Sequence, residues 1–494
     1  MTTKHFQPFA TLFAQKWVFF TALFSFFFSA VTSGVNASEK VALPIPPLVH
    51  KQLNDVVSKY PGLSGQAVLI TPQNTFFVNF GNVPVDANAQ AIEPVSASTV
   101  FRLGSITKSF TAIALLKLIE QYPDKVALDD PISKFIEDGW ITNSYANDIT
   151  LAQLLEHTAG FTDISGEEFD FNEPIPLEDA LLKFKQYHHT RWNPGEFSSY
   201  SNLGAGFVGY VIEQVSGKPY EDFLAEAVLN PLGMTTAGFK QSSVRVIGYK
   251  SDGVTVIPYW HTVYRPFGGL NASALDMSRY LQELLNPKLL SAKELQQFIT
   301  PNTGLAAESG LTFGYALGNY TALVEDYLFH GHSGDADGYL SRFGFSQEAE
   351  GAYYVVINRF DRALVSRLQD VLANAVVAHA KRPPPKAPKI LTITDNYQWI
   401  DGRYTEATAR FINEDKSTAE FGQIYFDTRK NVIRVKRAGR SDSLWYPVAI
   451  GKNKEGEEWV SVRHNYENRA TAVFLKKKDG GIAFITEFWN LVKM

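Results

Sequence analysis

The 494-residue chain contains no cysteine, which excludes a disulfide, a thiol nucleophile and a lipid-bearing Cys behind an export signal. It also lacks an excess of positive charge. Lys and Arg number 46 against 51 Asp and Glu, for a formal net charge of −5 and a pI near 6.1. That leaves no basic footprint for phosphates, so nucleic acid is not an expected partner. No internal repeat of useful fidelity occurs, and no Gly-x-Ser-x-Gly elbow supports an α/β-hydrolase. His330 with His332, and His188 with His189, have no third ligand at a metal-binding spacing, so neither a metal nor a cofactor is expected. What the chain does have is apolar surface. Hydrophobic residues make up 45% of it, enough for a large core and more than one domain.

The apolar run Trp17–Val31 follows Lys4 and Lys16 and precedes the small-x-small site Val35-Asn36-Ala37. It is shorter than the roughly 20 residues that span a bilayer comfortably, so residues 1–37 read as a cleaved signal peptide. A periplasmic or secreted protein is expected, with no integral membrane domain if the segment is cleaved and an N-terminal anchor as the alternative. Residues 38–382 read as one α/β domain. Gly65–Ile70 and the alternating Phe76, Val78 and Phe80 suggest a hairpin about Pro72-Gln73-Asn74, and strands return at Tyr339–Phe345 and Ala352–Ile357. Between them lie helical patterns at Ser105–Glu120, Thr150–His157 and Val208–Val215, and a last amphipathic helix is expected from about Ala363 to Ala380. Strands at both ends with helices between them imply a sheet completed by distant segments. The Pro-rich stretch 383–389 is a linker, because its prolines lack amide donors. Residues 390–494 carry short β-prone runs and read as about 100 residues of small antiparallel sheet or barrel. Its aromatic residues Tyr397, Trp399, Trp445, Trp459 and Trp489 read as core.

Three short segments could do chemistry. In Gly104-Ser105-Ile106-Thr107-Lys108 a spacing of three on a helix puts Ser105 and Lys108 on one face. A hydroxyl is a poor nucleophile until a base takes its proton, and a lysine serves only when neutral, a state that burial promotes. The helix start offers free amides for a developing oxyanion. Tyr200-Ser201-Asn202 lies in a turn-rich loop before a helix, where a phenol could relay protons and an amide could position Lys108 and a substrate carbonyl. His332-Ser333-Gly334-Asp335 precedes an expected strand. Its Gly334 permits close approach, and the Asp335 amide could be a second oxyanion donor. His157 reads as a structural hydrogen-bonding residue at a helix-to-turn junction.

In the order Ser-x-x-Lys, Tyr-x-Asn, His-x-Gly the chain resembles the serine β-lactamase and penicillin-binding superfamily. Within it, the likeness is to the branch of class C β-lactamases, D-alanyl-D-alanine carboxypeptidases, D-aminopeptidases and CubicO-type esterases. The resemblance runs from about Val41 to Ala380 and includes Leu154–Gly160, Pro231–Met234 and Gly268–Met277. It implies a β-lactamase/transpeptidase-like antiparallel sheet with flanking helices and a helical subdomain, followed here by the small all-β domain. It implies Ser105 as nucleophile, Lys108 as base, Tyr200 as relay and Asn202 as positioning group, with the amides of Ser105 and Asp335 as the oxyanion hole. His332, Ser333 and Gly334 would line the substrate. His332 stands where many relatives carry Lys, and a partly charged histidine suits an esterase or peptidase better than an efficient lactamase. The expected partner is a small-molecule or peptide acyl substrate, chosen by loops at 162–191 and about 242–266. A non-catalytic penicillin- or peptide-binding sensor is the competing reading, marked by acylation without release.

Overall fold

In the computed structural model, residues 45–84, 92–163, 169–170, 174–240, 246–409, 420–437, 439–486 and 490–494 are described. The expected signal peptide and Trp489 lie outside them. The strand-forming runs at opposite ends of the hydrolase region meet in one sheet. Its strands are β1 Gly65–Ile70, β2 Thr75–Phe80, β3 Tyr315–Ala316, β4 Asn319–Val324, β5 Tyr327–Ala336, β6 Tyr339–Ser346 and β7 Gly351–Ile357. They are ordered β3-β4-β5-β6-β7-β1-β2 and pair antiparallel throughout. The closing register, Gly65↔Ile357 to Ile70↔Ala352, joins segments almost 300 positions apart.

Because side chains alternate across a strand, each central strand feeds two cores. Val68, Ile70, Tyr354 and Val356 face the helical side, and Ala67, Leu69, Val355 and Ile357 face the other. The main helices are α1 Pro47–Val57, α2 Thr107–Gln121, α3 Leu203–Ser216, α4 Ala274–Leu285 and α5 Arg362–Ala378. α1 and α5 cover the second face, while α2 to α4 build the helical side. α2 has no Gly or Pro and is buried around its whole circumference from Thr107 to Leu118, as a helix apolar on all sides must be. Its Phe110 ring stacks on Tyr280 of α4 at 4.1 Å between centroids. The expected helix at Thr150–His157 is shorter, Leu151–Leu155. A Thr150–Gln153 capping box starts it, and His157 at φ 58 prevents its continuation.

From His379 to Thr394 the chain forms no helix or strand, and it is tethered rather than loose: Asn468 donates to the Pro385 carbonyl at 2.6 Å. The C-terminal domain is a closed eight-stranded meander barrel. Its strands are β8 Gly402–Glu406, β9 Glu420–Asp427, β10 Val432–Lys436, β11 Ser443–Lys452, β12 Glu458–His464, β13 Ala472–Lys476, β14 Ile482–Thr486 and β15 Asn490–Lys493. Tyr404, Ile424, Phe426, Trp445, Phe474 and Phe484 fill it, and closure removes the edges an open sheet would expose. Trp459 packs outside that interior, against the cluster containing Trp192 and Phe197 of the hydrolase domain. Among the described residues no helix is long and apolar enough to cross a membrane.

Phe110 is fully buried, so Phe110→Ala should cost about 3–5 kcal/mol of unfolding free energy by transfer and cavity terms together. Denaturant unfolding of the two full-length chains measures it; a loss under about 1 kcal/mol would contradict the packing described.

Candidate active site

The segment before Ser105 is held from both sides. Strand Val100–Arg102 pairs with Asn271–Ser273, Leu103 N–H donates to the Leu270 carbonyl at 3.0 Å, and Ser341 Oγ on β6 donates to the Leu103 carbonyl at 2.7 Å. Gly104 then takes φ 58, a conformation that favours glycine. A Cβ on it would stand 3.0 Å from the Asp335 nitrogen, so glycine also allows the close approach of β5. The turn passes through a 3-10 segment, Gly104–Ile106, into α2. Ser105 thus sits half-buried at a helix start beside the β5 backbone.

One turn on, Lys108 is 1% exposed. Its Nζ lies 3.2 Å from Ser105 Oγ, 2.7 Å from Asn202 Oδ1 and 3.1 Å from the Phe267 carbonyl. It also stands 4.8 Å from the centre of the Tyr200 ring. Two of these acceptors, an amide oxygen and a backbone carbonyl, can never donate. An amine carrying two hydrogens would spend both on them and direct its lone pair at the Ser105 hydroxyl.

The orientation of Asn202 is itself enforced. Its Nδ2 donates to Asp163 Oδ2 at 3.3 Å and its backbone N–H to Asp163 Oδ1. A carboxylate accepts and an amide NH₂ donates, so Asp163 keeps Asn202 Oδ1 turned to Lys108. Asp163 is 1% exposed and carries no recognisable spacing from any of the three segments. His157 Nδ1 accepts from Ser201 N–H at 3.2 Å and its carbonyl from Ser199 N–H at 2.7 Å, so the two bonds bracket Tyr200. Its ring lies 4.4 Å from that of Tyr200.

His332-Ser333-Gly334-Asp335, expected ahead of a strand, lies inside β5. Two-residue turns at Glu325-Asp326 and Asp337-Gly338 bound that strand and set its phase. Pairing with β4 stops at Tyr320↔Gly331, so among the described residues Ser333 and Asp335 direct their backbone groups to an edge with no further strand, where the Ser333 carbonyl meets His332 Nδ1, while His332 and Gly334 bond towards β6. At Gly334 a Cβ would meet the Leu103 carbonyl oxygen at 1.8 Å, which rules out any side chain there. The Asp335 carboxylate pairs with Arg342 at 2.9 Å and Arg362 at 2.8 Å. Burial alone would raise its pKa, but the two guanidinium groups bring it below the usual value.

His332 is 2% exposed, with Nδ1 on the Ser333 carbonyl and Nε2 on the Tyr315 hydroxyl. Burial first, then the neighbouring Lys108, lowers its pKa to about 3. The partial charge expected at neutral pH is therefore absent, because the carbonyl needs Nδ1–H and the phenol leaves Nε2 as acceptor in a neutral ring. The structure thus brings Ser105, Lys108 and Asn202 into direct contact, stacks Tyr200 over the amine and sets Gly334 and Asp335 behind Gly104.

A family model described as Beta-lactamase matches residues 53–377. Protein flp of Staphylococcus aureus (strain N315) is 28% identical over 332 residues, covering 65% of this chain and 64% of that protein. The match therefore spans less than two thirds of that relative's length. Among solved structures, the octameric penicillin-binding protein homologue from Pyrococcus abyssi aligns with TM-score 0.54 at 23% identity, covering 90% of this chain and 99% of that one. The D-amino acid amidase from Ochrobactrum anthropi SV3 aligns with TM-score 0.55 at 22% identity, covering 66% and 98%. Both likenesses concern the fold.

A histidine with its pKa lowered from 6.5 to about 3 binds a proton more readily unfolded than folded. Its contribution to stability is complete above pH 6.5 and is lost as pH falls towards 3. His332→Gln should flatten the acid decline of unfolding free energy by up to about 1.4 kcal/mol per pH unit in that window. Denaturant unfolding from pH 7 to 4 tests this; an unchanged slope would mean that His332 titrates normally.

Proposed function

The chain belongs to the Beta-lactamase family, and from that premise we propose that it is an exported serine acyl hydrolase with Ser105 as nucleophile. The observation that carries this reading is the set of contacts about Lys108 Nζ. In the acylation step the Ser105 proton moves to the Lys108 amine as Oγ bonds to the substrate carbonyl carbon. The carbonyl oxygen gains the negative charge and is met by the amides of Ser105 and Asp335. Tyr200 gives its proton to the leaving group as the bond to carbon breaks and the carbonyl re-forms, and takes in its place the proton held by Lys108. Water then adds to the acyl-enzyme, releasing the acid and restoring the Ser105 hydroxyl.

The substrate class proposed is an ester or amide in preference to a β-lactam. Where a lysine would hold a substrate carboxylate, this site has a neutral His332 engaged on both nitrogens. The open edge of β5 next to Gly104 supports an extended acyl or peptide segment lying along it, bonded to Ser333 and Asp335. The likeness in fold to a D-amino acid amidase supports placing D-amino-acid amides among the first substrates to try.

Full-length protein incubated with p-nitrophenyl butyrate, D-alanine p-nitroanilide and a chromogenic cephalosporin should turn over the first two faster than the third. Intact mass should show an acyl adduct mapping to Ser105, and Ser105→Ala should lose both adduct and turnover by at least about 10³-fold. Turnover surviving in Ser105→Ala would overturn the assignment. An adduct that forms but never releases product would leave a binding protein instead of a hydrolase.

A further inference from the structure

The barrel interior is filled by its own side chains, yet β13 and β14 are buried on both faces. Their inward residues Phe474 and Phe484 belong to the barrel core, while Val473, Ala483 and Ile485 turn outwards against Trp192 and Phe197. Those two aromatics belong to the loop that leads into Tyr200. Polar bonds follow the same line. Asn490 Nδ2 donates to the Ser198 carbonyl at 2.6 Å, Ser199 Oγ donates to the Ala409 carbonyl at 3.2 Å, and Lys477 Nζ pairs with Glu196 Oε1 at 2.5 Å. The loop is also held by His157 through Ser199 and Ser201.

We infer that the barrel is the second half of the mould that fixes the Tyr200 loop, with Asn490 and Lys477 as positioning residues for the acylation step. This rests on the reading of Tyr200 as proton relay. A loop without internal helix or strand from Arg191 to Asn202 keeps a defined position only through what bonds to it. His157 of the catalytic domain bonds on both sides of Tyr200, and the barrel adds bonds at Glu196, Ser198 and Ser199 on the approach to it. Asn490 is 7% exposed and its own carbonyl accepts from Ala407 N–H at 2.7 Å, so its amide is presented from a fixed strand end. Lys477 holds the loop by charge at a position open enough for substitution without burying a void. A displacement near 1 Å at a catalytic group costs on the order of 10²-fold in rate, so these bonds act on kcat, although none of the barrel residues touches Ser105.

The test uses full-length Asn490→Asp, which sets a carboxylate oxygen against the Ser198 carbonyl, together with Lys477→Met and Lys477→Arg. Lys478→Met, which breaks only the exposed pair with Glu455, serves as the control. Steady-state turnover of p-nitrophenyl butyrate and hydrogen exchange of the 195–203 amides are read side by side with thermal melting. Asn490→Asp should lower kcat about tenfold or more with KM within about threefold. Lys477→Met should lower it several-fold, Lys477→Arg should restore it, and both losing variants should exchange faster across 195–203 while still melting in one transition. Unchanged exchange in both, or faster exchange with kcat within about twofold of the parent, would overturn the inference. A parent that turns over nothing would overturn the hydrolase reading, and the exchange data would still decide whether the barrel holds the loop.

Discussion

Burying the Lys108 amine is the constraint on which the rest of the site depends. An amine taken out of water costs several kcal/mol unless protein groups replace its solvation. At 1% exposure it depends on Asn202 Oδ1, the Phe267 carbonyl and Ser105 Oγ. These come from three segments that are distant in sequence, so satisfying one nitrogen ties the start of α2, the Tyr200 loop and the turn at Phe267 together. The same three contacts that remove the desolvation cost aim the amine at the hydroxyl. Structural necessity and chemistry therefore coincide on one atom, and Asp163 extends the constraint outward by fixing which end of Asn202 faces inwards.

The open edge of β5 is the second consequence of backbone geometry. Tight turns at both ends phase the strand so that Ser333 and Asp335 present their backbone groups beyond the end of β4. Gly104 and Gly334 let the segment carrying Ser105 lie directly against it. His332, buried and neutral, stiffens this wall through Ser333 and Tyr315 instead of presenting charge. With a neutral His332 this stretch of wall presents backbone groups and no histidine cation, which is why esters and amides are proposed ahead of β-lactams.

Much of this was legible in the residues. The unbroken apolar run of α2, the apolar runs of β1 and β7, the alternation in β2 and the Pro-rich stretch each have a direct physical cause, and Lys108 meets both Ser105 and Asn202. Four things were not legible. Asp163 acts only through a fold that brings it to Asn202, with no spacing to announce it. The ionisation of His332 depends on burial that no local pattern encodes. Strand β11 was hidden by Pro447, which sits at a register shift between Pro447 and Ala449 where the ladder tolerates a missing donor. The docked face of the barrel was hidden for a related reason, since Val473, Ala483 and Ile485 read as ordinary strand residues until the interior is seen to be full without them.

The central claim is that the buried amine of Lys108 takes the proton from Ser105. The direct test is the time course of Ser105 acylation by p-nitrophenyl butyrate in full-length Lys108→Met, followed by intact mass and peptide mapping. The account predicts acylation slower by roughly 10²–10⁴-fold, the range for a lost general base, in a chain that still melts cooperatively. Acylation of Ser105 within about threefold of the parent rate would contradict it.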